Sequence, residues 1–406
     1  MATFKKTPDL EDDQKFALMK FRRSVADILR PEHDDYFLLR WLRARKWNAE
    51  AAEKMLRDAH KNRIMWDVDN LEKWNRPQVL VDYCPHGLTG FDNEGSPIVI
   101  IPFAGMDMYG MLHCVTRFDF MRSTVLYLER YMKVAFEQSK IYGPQARQFV
   151  VIFDMEHFNL KQYAWRPAAE LVLFLVKNYE LNYPEILKIC YIINAPKIFS
   201  VAFNFVKKFL DENTMSKIQI HKQGSEKWQK NLFSHCDSSQ IPKYYGGTLT
   251  DEDGDPKCKS KICWAGKIPK ELYNKRDDDE QNDNENFVDA TINKGGKIKL
   301  EFMTENENGT ILRWEFRTFE HDIKFGIRSI DNKTQEKLDE VPLGRVSSHE
   351  IDEIGFINCR PNTKYIVVFD NSYSYLKSKK IRYNVDLTRG LEEIEQISEE
   401  MLTTQL

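Results

Sequence analysis

Hydrophobic residues follow two different rhythms on either side of residue 286, and each rhythm permits few architectures. From about 95 to 248, short β-rich runs alternate with helical stretches. Ile98–Ile101, Phe149–Phe153, Ile189–Ile193 and Ile218–Ile220 read as strands; Thr116–Ile141, Pro167–Leu181 and Lys197–Leu210 read as helices. Strands that are apolar throughout and separated by helices predict a largely parallel sheet covered by helices. Beyond 286 the period becomes two. Leu312, Trp314 and Phe316 alternate with Arg313, Glu315 and Arg317, and Ile381, Tyr383, Val385 and Leu387 alternate with Arg382, Asn384 and Asp386. Half-buried strands with no helix between them predict an antiparallel β-sandwich, and Asn308-Gly309 signals a hairpin.

Two further segments complete a multidomain plan. Residues 1–75 read as helices: Asp34 or Asp35 caps one carrying Phe37, Leu38, Trp41 and Leu42, and Asn48 caps another that runs to about Trp66. The run Lys275-Arg-Asp-Asp-Asp-Glu-Gln-Asn-Asp-Asn-Glu-Asn286 cannot join a core. The expected order is a helical segment (1–75), an α/β domain (76–250), a linker (251–286), a β-sandwich (287–390) and an acidic tail (391–406).

A net charge of −3 argues against a nucleic-acid partner. The N-terminus lacks the apolar stretch of a signal peptide, and the longest apolar run, Leu171–Val176, is too short to span a bilayer. Seven irregularly spaced cysteines suit reduced thiols. The expected location is cytoplasmic, with transient contact at membranes.

No Walker loop, dinucleotide fingerprint or Gly-x-Ser-x-Gly elbow is present, so neither an enzyme nor a cofactor is expected. His113-Cys114 and His235-Cys236 are adjacent in sequence, which disfavours a nucleophile–base pair. Asp154-Met-Glu-His157 follows a strand, but no further ligand cluster supports a metal there. The helix at 197–210 is the most informative segment. Ile198, Val201, Ala202, Phe205 and Phe209 form one apolar stripe, and Phe199, Phe203, Val206 and Leu210 form a second beside it. A surface helix needs only one stripe. Two mean a central core helix or a wall between a cavity and something apolar outside.

Several strings in order resemble the CRAL-TRIO lipid-transfer family. Asp35-Tyr-Phe-Leu-Leu-Arg-Trp-Leu-Arg-Ala-Arg-Lys-Trp47 resembles its N-terminal helical signature. Tyr183-Pro-Glu185, Ile193-Asn-Ala-Pro196, Ser216-Lys-Ile218 and Tyr244-Tyr-Gly-Gly-Thr248 resemble its later motifs. The region from about 250 to 390 resembles a GOLD β-sandwich, and the tandem is similar to that of the tocopherol-associated members. The resemblance implies a gated cavity for one hydrophobic lipid, with the 197–210 helix as gate. Its walls would include Val99, Ile101, Val151, Phe153, Tyr191 and gate residues among Ile198, Phe199, Val201, Ala202, Phe203, Phe205 and Phe209. It also implies a phosphatidylinositol headgroup site at Arg45, Lys46, Glu185, Thr214 and Lys217, and a protein or membrane partner for GOLD. Glu185–Lys217 could instead be a structural ion pair.

This chain departs from the family pattern in two places. His157 stands where glycine is common, and Val150-Val-Ile152 replaces the hydroxyl side chains of choline-lipid binders. The second change tells against phosphatidylcholine and favours a more apolar second ligand; the expected cargo is phosphatidylinositol or a neutral isoprenoid lipid such as tocopherol or squalene. The alternative is a trafficking or signalling adaptor for which lipid is a regulatory cue.

Overall fold

The computed structural model describes residues 10–159, 162–163, 166–197, 199–273, 287–305 and 310–389, without the side chains of Arg166, Val201, Phe205, Ile311, Phe356, Asn358, Thr388 and Arg389. The chain divides into two compact units, one formed by residues 1–115 and 119–273, the other by 116–118 and 274–406.

The first unit opens with three helices, α1 (Asp12–Ser24), α2 (Asp35–Ala44) and α3 (Ala49–Met65). The expected caps hold: Asp34 accepts from Phe37 N at 3.0 Å and Asn48 from Ala51 N at 2.9 Å. Leu38, Leu39, Trp41 and Leu42 of α2 pack on Phe21 and Val25 near α1 and on Ala52, Met55 and Leu56 of α3. A short helix, α4 (Gln78–Asp82), leads to the sheet.

That sheet has the order β5-β4-β3-β2-β1-β6. Strands β2 (Pro97–Ile101), β3 (Phe149–Asp154), β4 (Leu187–Ala195) and β5 (Ile218–Lys222) are parallel. Strands β1 (His86–Phe91) and β6 (Ile262–Cys263) add an antiparallel edge. The intervening helices are α5 (Met108–Cys114), α6 (Arg117–Tyr142), α7 (Arg166–Asn182), α8 (Phe199–Val206), α9 (Glu212–Ser216) and α10 (Lys227–Leu232). Residues 251–273, expected as the start of a linker, belong to this unit. Cys258, Ile262 and Ile268 are buried there, and β6 pairs with β1.

In the second unit two antiparallel sheets face each other. One orders β11 (Lys337–Val346), β10 (Ile323–Asp331), β13 (Thr363–Asp370) and β8 (Lys297–Met303). The other orders β12 (Glu353–Asn358), β9 (Thr310–Thr318), β14 (Lys379–Arg389) and β7 (Val288–Ile292). The inward residues Leu312, Trp314, Phe316 and Ile381 of one sheet meet Phe325, Ile327, Tyr365, Val367 and Phe369 of the other. The three-part fold class thus agrees with the sequence reading, but the hairpin does not. Asn308-Gly309 lies outside the described residues, and its flanking strands β8 and β9 sit in different sheets. The tail (391–406) and the whole acidic run (275–286) also lie outside the described residues.

Candidate lipid-binding site

The two faces of the parallel sheet are packed unequally. Ile98, Ile100, Val150, Ile152 and Ile193 share a face with Trp228, Leu232, Ile241, Tyr245 and Ile262, and all are nearly inaccessible. The opposite face carries Val99, Ile101, Val151 and Phe153. Val99 is buried, but Ile101, Val151 and Phe153 keep accessible surface. At one end of this face lie Leu128, Tyr131, Met132 and Ala135 of α6; at the other lie Phe158, Phe199 and Phe203. Helix α7 behaves alike: Val172, Leu173, Phe174, Leu175 and Val176 are only half-buried. Close-packed interiors leave few voids, so apolar side chains accessible on one face of central strands mark where another apolar body fits.

Tyr191 is a correction. The parallel register pairs Ile152 with Tyr191, so Tyr191 joins the solid face and Cys190 and Ile192 take the other. Its ring is fully buried near Trp228, and its hydroxyl donates to Asn231.

The gate segment is shorter than the expected Lys197–Leu210. α8 ends at Val206, and a 3-10 turn over Lys207–Phe209 follows. Asp211 then caps α9 through Asn213 N at 2.8 Å. Phe199 and Phe203 face inward: their rings stack at 5.8 Å, and Phe199 meets Phe158 edge-on at 5.5 Å. Ala202 is half-buried, while Ser200 and Asn204 are exposed. Phe209, at the end of this turn, is 38% exposed, with Lys177 Nζ 4.7 Å above its ring. Ile198 and the side chains of Val201 and Phe205 lie outside the described residues.

The expected headgroup residues gather around α9. Lys217, its C-cap, lies 3.4 Å from Glu185, and both side chains are largely buried. Asn213 also donates to Glu185. Burial raises the pKa of Glu180 on α7, against the pull of a hydrogen bond from Thr214. Lys46 reaches the same short helix through Glu212 at 3.7 Å, but both side chains are exposed, so the pair adds little stability. Arg45 turns back to the Ala44 carbonyl at 2.8 Å and is not tied to the cluster by that bond. Lys46 (φ 50°), Glu185 (φ 60°), Asn194 (φ 54°) and His157 (φ 65°) all adopt the left-handed backbone that non-glycine residues seldom take. Such conformations cluster at functional sites, where the surroundings hold them.

Two contributors escaped the sequence reading, and a third was visible there only in separate pieces. Buried Arg40 donates from Nε to the Pro184 carbonyl at 2.9 Å, joining α2 to the Tyr183-Pro-Glu185 turn. Desolvation lowers its pKa, against the pull of nearby Tyr36 and Glu129. Glu129 accepts from Arg63 at 2.7 Å and from the Tyr183 hydroxyl at 2.8 Å, which ties α3 to α6. At the strand ends, buried Asp154 accepts from Asn194 at 2.8 Å and Tyr245 at 3.0 Å, while Tyr244 donates to Glu156. The two motifs noted separately in sequence therefore close one network. Among the described residues, no three His, Cys, Asp or Glu side chains are grouped as a metal site.

Residues 83–247 match the CRAL/TRIO domain and residues 3–58 match the CRAL/TRIO N-terminal domain. The chain belongs to the CRAL-TRIO family. It is 27% identical to Protein ctg-1 of Caenorhabditis elegans over 87% of this chain and 91% of that protein. It is 26% identical to Protein real-time of Aedes aegypti over 80% of this chain, but spans only 51% of that longer protein. Among solved structures, that of Sfh5 aligns with 63% of this chain and 93% of its own, at 16% identity and a TM-score of 0.48. Lipid binding or transfer is the general activity of the family.

Proposed function

We propose that the first unit carries one hydrophobic lipid between the open face of its sheet and helices α6, α7 and α8, and exchanges it at membranes without transforming it. The observation that carries this reading is the unequal packing of the sheet. One face is solid, while Ile101, Val151 and Phe153 on the other remain accessible, as do residues 172–176 of α7. Each methylene moved from water to an apolar site gains about 0.8 kcal/mol. A chain of about fifteen therefore gains on the order of 10 kcal/mol over water and almost nothing over a bilayer, so exchange is reversible.

The cluster of Lys217, Glu185 and Thr214, with Lys46 reaching it through Glu212 and Arg45 next to Lys46 in the chain, suits a phosphoinositide head. Lys217 would trade Glu185 for phosphate, and Glu185 would turn to an inositol hydroxyl or to Asn213. A neutral isoprenoid lipid would occupy the same apolar space without using the cluster. α8 serves as the gate. The β-sandwich is read as a GOLD domain that recruits a protein or membrane partner, and the protein as cytoplasmic with transient membrane contact. No helix among the described residues is long and apolar enough to cross a membrane.

Organic extraction of the purified chain, followed by vesicle-to-vesicle transfer of the recovered lipid, tests the reading. One unaltered lipid per chain and a measurable transfer rate are expected. Occupancy without transfer would leave an adaptor that only senses lipid, and an apolar-ligand-free protein that cannot be loaded would end the proposal.

A further inference from the structure

At one end of the β-sandwich, residues 319–322, the segment after β11 and residues 371–378 border an open recess of about 540 Å3. Its lining includes His321, Asp322, His349, Tyr373, Lys377 and Lys379. Lys379 is the unusual member, with only 5% of its side chain exposed. Its ammonium donates to the Tyr373 hydroxyl at 2.6 Å, to Asp322 Oδ1 at 3.3 Å and to the Asp322 carbonyl. The Tyr373 hydroxyl donates to Asp322 Oδ1 at 3.0 Å. Arg345, Lys379 and Lys324 stand over the Tyr373 ring at 4.1, 4.4 and 5.3 Å. Arg345 also lies 3.7 Å from Asp322. Three cations therefore surround one ring, and two of them, Arg345 and Lys379, also meet the Asp322 carboxylate. Lys377, the fourth, contacts His321 Nε2 at 2.9 Å, which can accept only as a neutral ring. Glu320 and Glu350 lie beside His321 and His349 at 3.8 and 3.6 Å.

The same loop carries Tyr375 and Leu376 at its tip, exposed by 86% and 89%. They are presented by a pinned turn. Asn371 Nδ2 donates to Ile292 O, Asn293 O and Lys377 O at 3.1, 3.2 and 3.0 Å, and Ser374 Oγ donates to Lys377 O at 2.9 Å. Two apolar side chains held in water beside a cationic recess match a surface with an apolar interior beneath anionic phosphates. A protruding tip suits that better than an acidic peptide, which would offer it no apolar volume to enter.

We infer that this end of the β-sandwich docks on an anionic phospholipid surface, with a headgroup phosphate in the recess and Tyr375 and Leu376 in the acyl boundary. The inference rests on the reading that the β-sandwich recruits a partner; it shares no residue with the proposed lipid site of the other unit, so it and the lipid-transfer reading can fail separately.

The test is sedimentation of the full chain with phosphatidylcholine vesicles, with or without phosphatidylserine, alongside lipid transfer by the same preparations. Binding is expected only to the acidic vesicles, and it should fall with added salt. Lys377→Gln and Arg345→Gln should each weaken it about fivefold, the equivalent of the ~1 kcal/mol that a basic side chain contributes at an acidic surface. Leu376→Asp should weaken it at least as much. All three sites are substantially exposed, so an unchanged melting temperature is the folding control. Equal binding to both vesicle types, or parental binding by Leu376→Asp, would overturn the inference. So would protection of the recess by inorganic phosphate with no vesicle binding, which would assign it to a free anion.

Discussion

Replacing Lys217 with alanine separates a ligand-binding lysine from a merely structural one. Its ammonium is 3.4 Å from Glu185, with both side chains largely buried. At an effective dielectric constant of about 20, that separation corresponds to about 5 kcal/mol of attraction before desolvation is subtracted. Breaking a fully buried pair typically costs about 3–5 kcal/mol. Here Glu185 keeps its bond from Asn213, so the expected loss of stability is smaller, about 1–2 kcal/mol. The melting temperature should drop by a few degrees. Binding should respond more selectively. A charge-assisted bond to phosphate contributes about 1.5–3 kcal/mol, so phosphatidylinositol affinity should fall roughly ten- to hundredfold. A neutral lipid such as tocopherol, which cannot use the ammonium, should bind as before. Equilibrium titration with both lipids, beside a thermal melt, makes the comparison. Equal weakening of both would show that Lys217 only braces the turn, and the headgroup assignment would fall.

Phe209→Asp should slow vesicle transfer while leaving occupancy unchanged, because the ring is exposed beside Lys177 and is no part of the inner cluster; Phe203→Asp, on the inward stripe, should instead abolish occupancy. Separate measurement of rate and stoichiometry checks both, and parental transfer by Phe209→Asp would remove α8 as the gate. Arg40→Met strands the Pro184 carbonyl, at a cost of about 1–3 kcal/mol, and should let a protease cut more readily among the N-terminal helices. The pH response of the fold should carry the signature of His86. Burial, aided by the charges of Arg76 and Arg130, pushes its pKa from 6.5 down to about 3, and its Nδ1 sits 2.6 Å from the Tyr131 hydroxyl. The folded state thus favours the neutral ring. Its stability is complete above pH 6.5 and declines as pH falls toward 3, where the unfolded chain binds the extra proton. Melting curves across that window should flatten in His86→Phe.

What could be read from sequence was whatever repeats along the chain. The strands at Ile98, Phe149, Ile189 and Ile218 and the caps at Asp34 and Asn48 all declare themselves locally, and the structure has them where expected. What depends on register or on distant partners did not. Tyr191 looks like Val151 or Phe153 in an apolar strand. Only the pairing with Ile152 decides that it belongs to the opposite face, since a one-residue offset exchanges the two faces of a strand. Asn308-Gly309 is a turn signal, but a turn cannot dictate that both flanking strands enter the same sheet, and here they do not. The edge strand β6 has two residues and no period at all.

The headgroup cluster shows the same division. Glu185 and Lys46 stand in recognisable strings, yet their partners, Asn213 for Glu185 and Glu212 for Lys46, belong to no motif and arrive through the short helix α9. The two apolar stripes of the 197–210 segment were legible as an excess of greasy surface, but not as an orientation. Packing settles it: Phe199 and Phe203 stack on the cluster beside Phe158, whereas Phe209, in the 3-10 turn after Val206, is exposed. A continuous helix would have kept Phe209 in line with Val201, Ala202 and Phe205 on one face. The break leaves a short apolar lid inside and a separate aromatic beside Lys177, Lys207 and Lys208 outside. Under the proposed reading, one segment would then meet an acyl chain and an acidic surface at once.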